Sequence, residues 1–228
     1  MSSDPAVVHQ LAIERVDALD PHDLAGLCEA TNAAIVEGGG FGWLDAQSRT
    51  ALERHFRGVL LVPERELFIA RLDGEVVGSG QMVRPPRNNE AQGFSATLTH
   101  AFIAPYARGF GLARLLIRKI EERAAGLGIR VLNLDVRATQ TTAIALFEGL
   151  GYVRWGTHPA YARVNGETVA GYYYFRVIEV PHGRSSAEAL GDASFPADGL
   201  ISDIHASADY RANLIVVMAR RAVAAANA

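Results

Sequence analysis

The stretch ARGFGLARLLIRK, residues 107–119, sets an arginine and two glycines directly before a strongly amphipathic segment. Leu112, Leu115, Leu116, Ile120 and Ala124 recur on one side at helical spacing, while Arg118, Lys119, Glu121 and Glu122 fall mostly on the other. This pattern predicts a helix ended by Gly126 and Gly128. The first N–H groups of a helix have no partner within it and carry the positive end of its dipole. Gly109 and Gly111 let the backbone approach a bulky anion and supply positive φ angles if the loop needs them, and Arg108 adds a fixed charge with a fork of donors. The layout suits a pyrophosphate. Glycines also precede helices merely to make a tight turn, so the surroundings must decide.

Outward from this stretch the chain alternates between two periods. Residues 94–103 read as a strand stopped by Pro105, and residues 66–72 and 75–82 flank Asp73-Gly74 as a β-hairpin. Upstream, a strand over residues 9–16 ends at Asp20-Pro21. A helix carrying Leu24, Leu27, Cys28, Thr31 and Ile35 then runs to Gly38-Gly39-Gly40, and a second covers about residues 46–62. Downstream come a strand at 130–136, a short helix at 142–150 closed by Gly151, and strands at 152–155 and 170–180. The order predicts an α/β fold with helices on both faces of a mixed sheet. A dinucleotide-binding turn would follow the first strand of a βαβ repeat, and a nucleoside-triphosphate loop would end in Gly-Lys-Ser or Gly-Lys-Thr. Neither pattern occurs.

The 228 residues suffice for one well-cored domain with an appendage, and the net charge of −3 gives no electrostatic reason to expect nucleic acid or an anionic membrane as partner. Cys28 is the only cysteine, so no disulfide forms within the chain, and the composition fits a reducing, cytoplasmic setting. No run approaches the ~18 apolar residues of a membrane span, and the first residues lack the layout of a signal peptide. The seven histidines show no metal-binding spacing, so no metal is expected. Beyond Pro181 the chain turns rich in glycine, alanine, serine and aspartate, then ends in an alanine- and leucine-rich segment predicted as a helix. We therefore divide the chain into a domain over 8–180 and a linker with a helical tail over 181–228.

The turn resembles the acetyl-coenzyme A binding motif of the GCN5-related N-acetyltransferases, in which arginine or glutamine, two residues, glycine, one residue, and glycine or alanine follow one another. Arg108, Gly111 and Ala113 match it. GEVVGSGQMV, TLTHAFIAPYARGFGLARLLI, RVLNLDV and TTAIALFEGLGYVRWG resemble successive segments of that family, over residues 8–179. EGGGFGW and GTHPAYARVNGETVAGYYYF are similar to the tabtoxin-resistance acetyltransferases, and residues 202–228 resemble the end of the FAD-binding medium subunit of carbon monoxide and xanthine dehydrogenases, with no flavin motif and no flavin expected.

The family resemblance implies a mostly antiparallel sheet with one parallel strand pair that splays apart, and acetyl-CoA as acyl donor. It implies that the amides of Arg108, Gly109, Phe110, Gly111, Leu112 and Ala113 hold the pyrophosphate, while backbone groups of Phe102 and Ile103 pair with the pantetheine arm and an N–H near Ala101 or Phe102 polarises the thioester. Gln140 stands where many members carry an asparagine, and Phe147 where many carry the tyrosine that protonates the leaving thiolate. A phenyl ring has no proton to give. Water takes that role, or Tyr161, Tyr172, Tyr173 or Tyr174, or the chemistry is weakened. Asp135, His100 and Glu90 are the candidate bases, Asp135 by its match to an aspartate of the tabtoxin-resistance group and His100 by its ordinary pKa. The expected function is N-acetylation of a small-molecule primary amine, with the tail docking on the acetyltransferase domain, on a second copy of the chain or on another protein. The alternative is a non-catalytic acyl-CoA-binding module.

Overall fold

Strand β1 (Leu11–Val16) is followed by helices α1 (Pro21–Val36) and α2 (Arg49–Leu60), then by strands β2 (Arg65–Leu72), β3 (Glu75–Val83) and β4 (Ser95–Ile103). Helix α3 (Leu112–Gly126), β5 (Val131–Arg137), α4 (Thr141–Gly149), β6 (Val153–Val164) and β7 (Glu167–Val177) complete the order. The structure is a computed structural model and describes residues 8–39 and 42–179. The proposed tail and its boundary, together with Gly40 and Phe41 of the EGGGFGW segment, lie outside the described residues.

Local chemistry sets the helix starts. The Asp20 carboxylate accepts the Asp23 N–H and Pro21 fills the first turn of α1. Ser48 does the same for α2 by accepting the Ala51 N–H, so α2 begins at Arg49 and not at the expected residue 46. Asp73 and Gly74, both at positive φ, close the hairpin between β2 and β3.

The seven strands form one sheet in the order β1-β2-β3-β4-β5-β7-β6, antiparallel throughout except for the β4–β5 pair. Alternation along β2 sorts the two cores. Phe68 and Ala70 face Leu116, Ile117 and Ile120 of α3, in a core that also takes Phe147 and Leu150 of α4. Leu67 and Ile69 face Leu24, Leu27 and Cys28 of α1 and Leu52, Phe56 and Val59 of α2. Burying one such side chain contributes about 1.5–3 kcal/mol over leaving it in water, which fixes which face of the sheet each helix covers.

The last two strands differ from the sequence expectation. They were expected over 152–155 and 170–180, but form a long hairpin turned by Asn165 and Gly166, at φ 50° and 84°. Gly156 and Pro159 look like strand breakers, yet β6 is the edge of the sheet, where a missing N–H is tolerated. The register passes from His158 opposite Gly171 to Ala162 opposite Val169, so residues 159–161 bulge out opposite Ala170 alone.

Candidate active site

Strands β4 and β5 pair only where Ser95, Ala96 and Thr97 meet Val131, Leu132 and Asn133, and then part. The cause lies on the other side of β4. Ser79 of β3 faces Phe102 while Gln81 faces Thr99, so His100 and Ala101 together oppose Gly80, an extra residue that bends the strand. His100 takes a φ of 50°, a left-handed conformation that costs a non-glycine residue about 1–3 kcal/mol. Gly78 permits the close approach of β3 to β4, and Gly80 that of α3 to the sheet. A Cβ at Gly78 would meet the carbonyl oxygen of Phe102, and one at Gly80 would stand 3.0 Å from Ile120 Cδ1. Beyond the parting, main-chain groups of Phe102, Ile103 and the end of β5 line a gap between two strands.

At the mouth of that gap the chain makes a single 3₁₀ turn over Pro105–Ala107 and enters α3. Gly109 and Gly111 have φ angles of 90° and 83°, and no side chain caps the helix. Among the described residues, the N–H groups of Gly109, Phe110, Gly111, Leu112 and Ala113 have no protein acceptor. Leu112 anchors the turn in the core, whereas the Phe110 ring packs edge-on against His9 with centroids 4.7 Å apart. Arg108 donates weakly to the Ile103 carbonyl at 3.4 Å and pairs with Glu37, at the end of α1, at 2.5 Å. A compact set of unpaired donors, a guanidinium and an adjoining strand gap fits a diphosphate with an amide-bearing arm.

The far wall of the gap belongs to β5 and β7. Leu132, Leu134 and Val136 join the α3–α4 core, so Asn133, Asp135 and Arg137 point to the opposite face. On β7, Tyr172 and Tyr174 likewise pack into the α3–α4 core, leaving Gly171 and Tyr173 on the Asp135 side, in register with Arg137 and Asp135. Tyr161, re-aimed by the β6 bulge, lays its ring over Gly171, where any Cβ would collide with it, and donates its hydroxyl to the Asp135 carboxylate. Burial and that carboxylate push the Tyr161 pKa well above its ordinary value. Tyr173 meets the Tyr161 ring edge-on at 6.2 Å and Trp155 at 5.6 Å.

His100 faces this cluster from β4. Its Nδ1 lies 2.9 Å from Thr99 Oγ1 and its ring 5.9 Å from that of His55 on α2. Burial chiefly, then His55 and Arg65, hold its pKa below the ordinary imidazole value against an opposing pull from Asp135. Thus His100 lies within electrostatic reach of Asp135. Glu90 sits elsewhere, in a 3₁₀ turn preceding β4, beside Arg84, Asn89, Leu127 and Ile129, at the end of the strand remote from the parting.

Two positions that depart from the family motif are also settled in space. Gln140, before α4, donates through Nε2 to the Gly38 carbonyl at 2.6 Å. Phe147 is buried edge-on against Tyr152 at 5.5 Å. Of the other tyrosines, Tyr174 donates its hydroxyl to Glu148, its pKa pushed up to about 12 mainly by burial, and Tyr172 lies under the Arg154 guanidinium. Three participants escaped the sequence reading: Glu37, His55 and the buried Arg137, whose guanidinium donates to the carbonyls of Gly38 and Gly39. Their partners lie far along the chain, and no local spacing announces them.

The profile of the GNAT acetyltransferase family matches residues 31–152, which is more than half of the chain. The chain belongs to the GNAT acetyltransferase family. This GNAT acetyltransferase is 55% identical over 130 residues to the N-acetyltransferase of the hisH–hisA intergenic region of Azospirillum brasilense, covering 57% of the present chain and 77% of that protein. Its fold matches an N-acetyltransferase from Staphylococcus aureus Mu50, with a TM-score of 0.64 at 17% identity over 75% of this chain and 99% of the other. It also matches a phosphinothricin acetyltransferase of the GNAT superfamily from Sinorhizobium meliloti, solved in complex with acetyl-CoA, with a TM-score of 0.61 at 20% identity over 74% and 88%. Among the described residues of this acetyltransferase no cluster of three or more metal-ligating side chains forms, and no helix is long and apolar enough to cross a membrane.

Proposed function

We propose that this acetyltransferase carries an acetyl group from acetyl-CoA to the primary amine of a small molecule, by direct attack of the amine on the thioester. The observation that carries the reading is the row of main-chain N–H groups from Gly109 to Ala113 without a protein acceptor among the described residues, placed where β4 and β5 part. These amides and Arg108 take the pyrophosphate, since helix-start donors and a guanidinium complement its charge and geometry. Backbone groups of Phe102 and Ile103 pair with the amides of the pantetheine arm. An N–H near Ala101 or Phe102, next to the His100–Ala101 bulge, faces the thioester carbonyl and stabilises the oxygen as it gains charge. Gln140 offers its carbonyl oxygen to the arm, and Phe147 an apolar wall.

Asp135, which is exposed, and His100, whose pKa burial lowers, are the groups available to take the proton from the attacking amine. Glu90 has no part in this assignment because of its place at the other end of β4. The similarity of EGGGFGW and of the β6–β7 segment to tabtoxin-resistance enzymes favours an amino-acid-like acceptor. A second reading, a non-catalytic acyl-CoA binder, is favoured by Phe147 alone.

Thiol release from acetyl-CoA across a panel of primary amines separates the two. The panel should include phosphinothricin, free amino acids and a peptide beginning with alanine. Amine-dependent release is the expected result. Tight binding of acetyl-CoA without release by any amine would leave the binder standing.

A further inference from the structure

Position 147 carries a buried phenyl ring edge-on to Tyr152, so it cannot return a proton to the sulfur that leaves. Water or another side chain has to supply it. Tyr174 is committed to Glu148, and Tyr172 packs on the α3–α4 face under Arg154. Tyr161 differs from both. It belongs to an edge strand, yet the two extra residues of the bulge at 159–161 swing it inward, and Gly171 is the one position of β7 whose missing side chain makes room for its ring. The hydroxyl so placed bonds to Asp135, which stands in the parted half of β5. A bulge on one strand and a glycine on the next thus combine to join a phenol to a carboxylate at the gap.

We propose that Tyr161 and Asp135 act as a coupled proton relay, in which Tyr161 replaces the absent tyrosine of α4 as proton donor to the thiolate. The inference rests on the acetyl-transfer reading above. The acceptor enters as a neutral amine, its ammonium proton already lost to solvent. A bond forms between the amine nitrogen and the thioester carbonyl carbon, and the carbon–sulfur bond breaks. Asp135 receives the proton that the nitrogen sheds, Tyr161 passes its hydroxyl proton to the sulfur, and the proton on Asp135 then moves along their hydrogen bond to the phenolate. One proton has travelled from nitrogen to sulfur and both side chains have returned to their first state. The neighbouring groups suit that path. Arg137 favours the transient phenolate electrostatically, Tyr173 borders the ring, and His100 faces Asp135 from β4.

The test uses the full chain, acetyl-CoA, and the amine of the panel that turns over fastest. Tyr161→Phe should lower kcat by about 100-fold or more, the usual scale for a lost general acid, with the KM for acetyl-CoA changed less than about threefold. Adding Phe147→Tyr to Tyr161→Phe should restore kcat by at least about tenfold, because it returns a donor from the other side. A purely orienting tyrosine predicts no such rescue. As a second readout, an acetyl thioester of a far more acidic aromatic thiol needs no donor, so its loss in Tyr161→Phe should shrink to less than about fivefold. A kcat within about twofold of wild type in Tyr161→Phe overturns the relay and leaves the activity standing. So does an equal loss with both thioesters together with no rescue by Phe147→Tyr. If the wild-type chain binds acetyl-CoA but releases no thiol with any amine, the activity and the relay fall together.

Discussion

Gly111 shows how much a single residue decides. Its φ of 83° places it in the left-handed region, and the N–H groups on either side of it are among the unpaired donors of the turn. Gly111→Asp sets a strained backbone and a negative charge against an incoming pyrophosphate, and should weaken acetyl-CoA binding about 100-fold or more by calorimetry. An unchanged affinity would place the cofactor elsewhere. A second residue-scale expectation concerns His55 of α2 and His100 of β4. Burial depresses the pKa of both His55 and His100 below 6.5, so between that value and the lower folded values the unfolded chain binds more protons than the folded one. Stability should fall as pH drops through this window and level off above it. Thermal unfolding from pH 7.5 to 5 checks this, and His55→Phe should flatten part of the slope. At this scale the Arg108-to-Ala113 motif was readable from the chain because its chemistry is local. The roles of Arg137 and Glu37 were not, since each depends on a partner that only the finished sheet brings near.

At the scale of elements, the loop after α1 is fastened on both sides of the strand gap. Glu37 pairs with Arg108 on the β4 side, while Arg137 and Gln140 hold the Gly38 and Gly39 carbonyls on the β5 side. Both partners of the Glu37–Arg108 pair are about half exposed, so the pair itself adds little stability. Its consequence is electrostatic: it occupies the guanidinium and puts a carboxylate beside an anion site. Glu37→Gln should therefore tighten acetyl-CoA binding by about two- to fivefold, with a steeper loss of affinity as salt is raised, measured by calorimetry at two ionic strengths. Weaker binding would mean that Glu37 supports the turn and does not compete for Arg108. Helices and the Asp73-Gly74 hairpin followed from periodicity and turn chemistry. The long β6–β7 hairpin did not, although Asn165-Gly166 is a strong turn signal, because Gly156 and Pro159 interrupt the alternation that defines a strand. A bulge hides from sequence in this way: it spends residues without advancing the register.

For the whole molecule, element order and composition suffice to place helices on both faces of a mixed sheet, and the family resemblance supplies the splayed pair. The extent of the splay follows from neither. It is set by the β4 bulge, by Gly78, which lets β3 and β4 close up, and by the return of β7 between β5 and β6. All the proposed chemistry converges on that opening, with an anion turn at its mouth and Asp135, His100, Tyr161 and Tyr173 on the sheet face beside it. The most direct measurement is a titration of the ¹⁵N-labelled chain with coenzyme A, followed by amide NMR. The account predicts that the largest shifts fall on Gly109, Phe110, Gly111, Leu112 and Ala113, accompanied by Phe102 and Ile103 along the gap. Saturating coenzyme A that leaves those amides unmoved, or that moves a different surface, would contradict it.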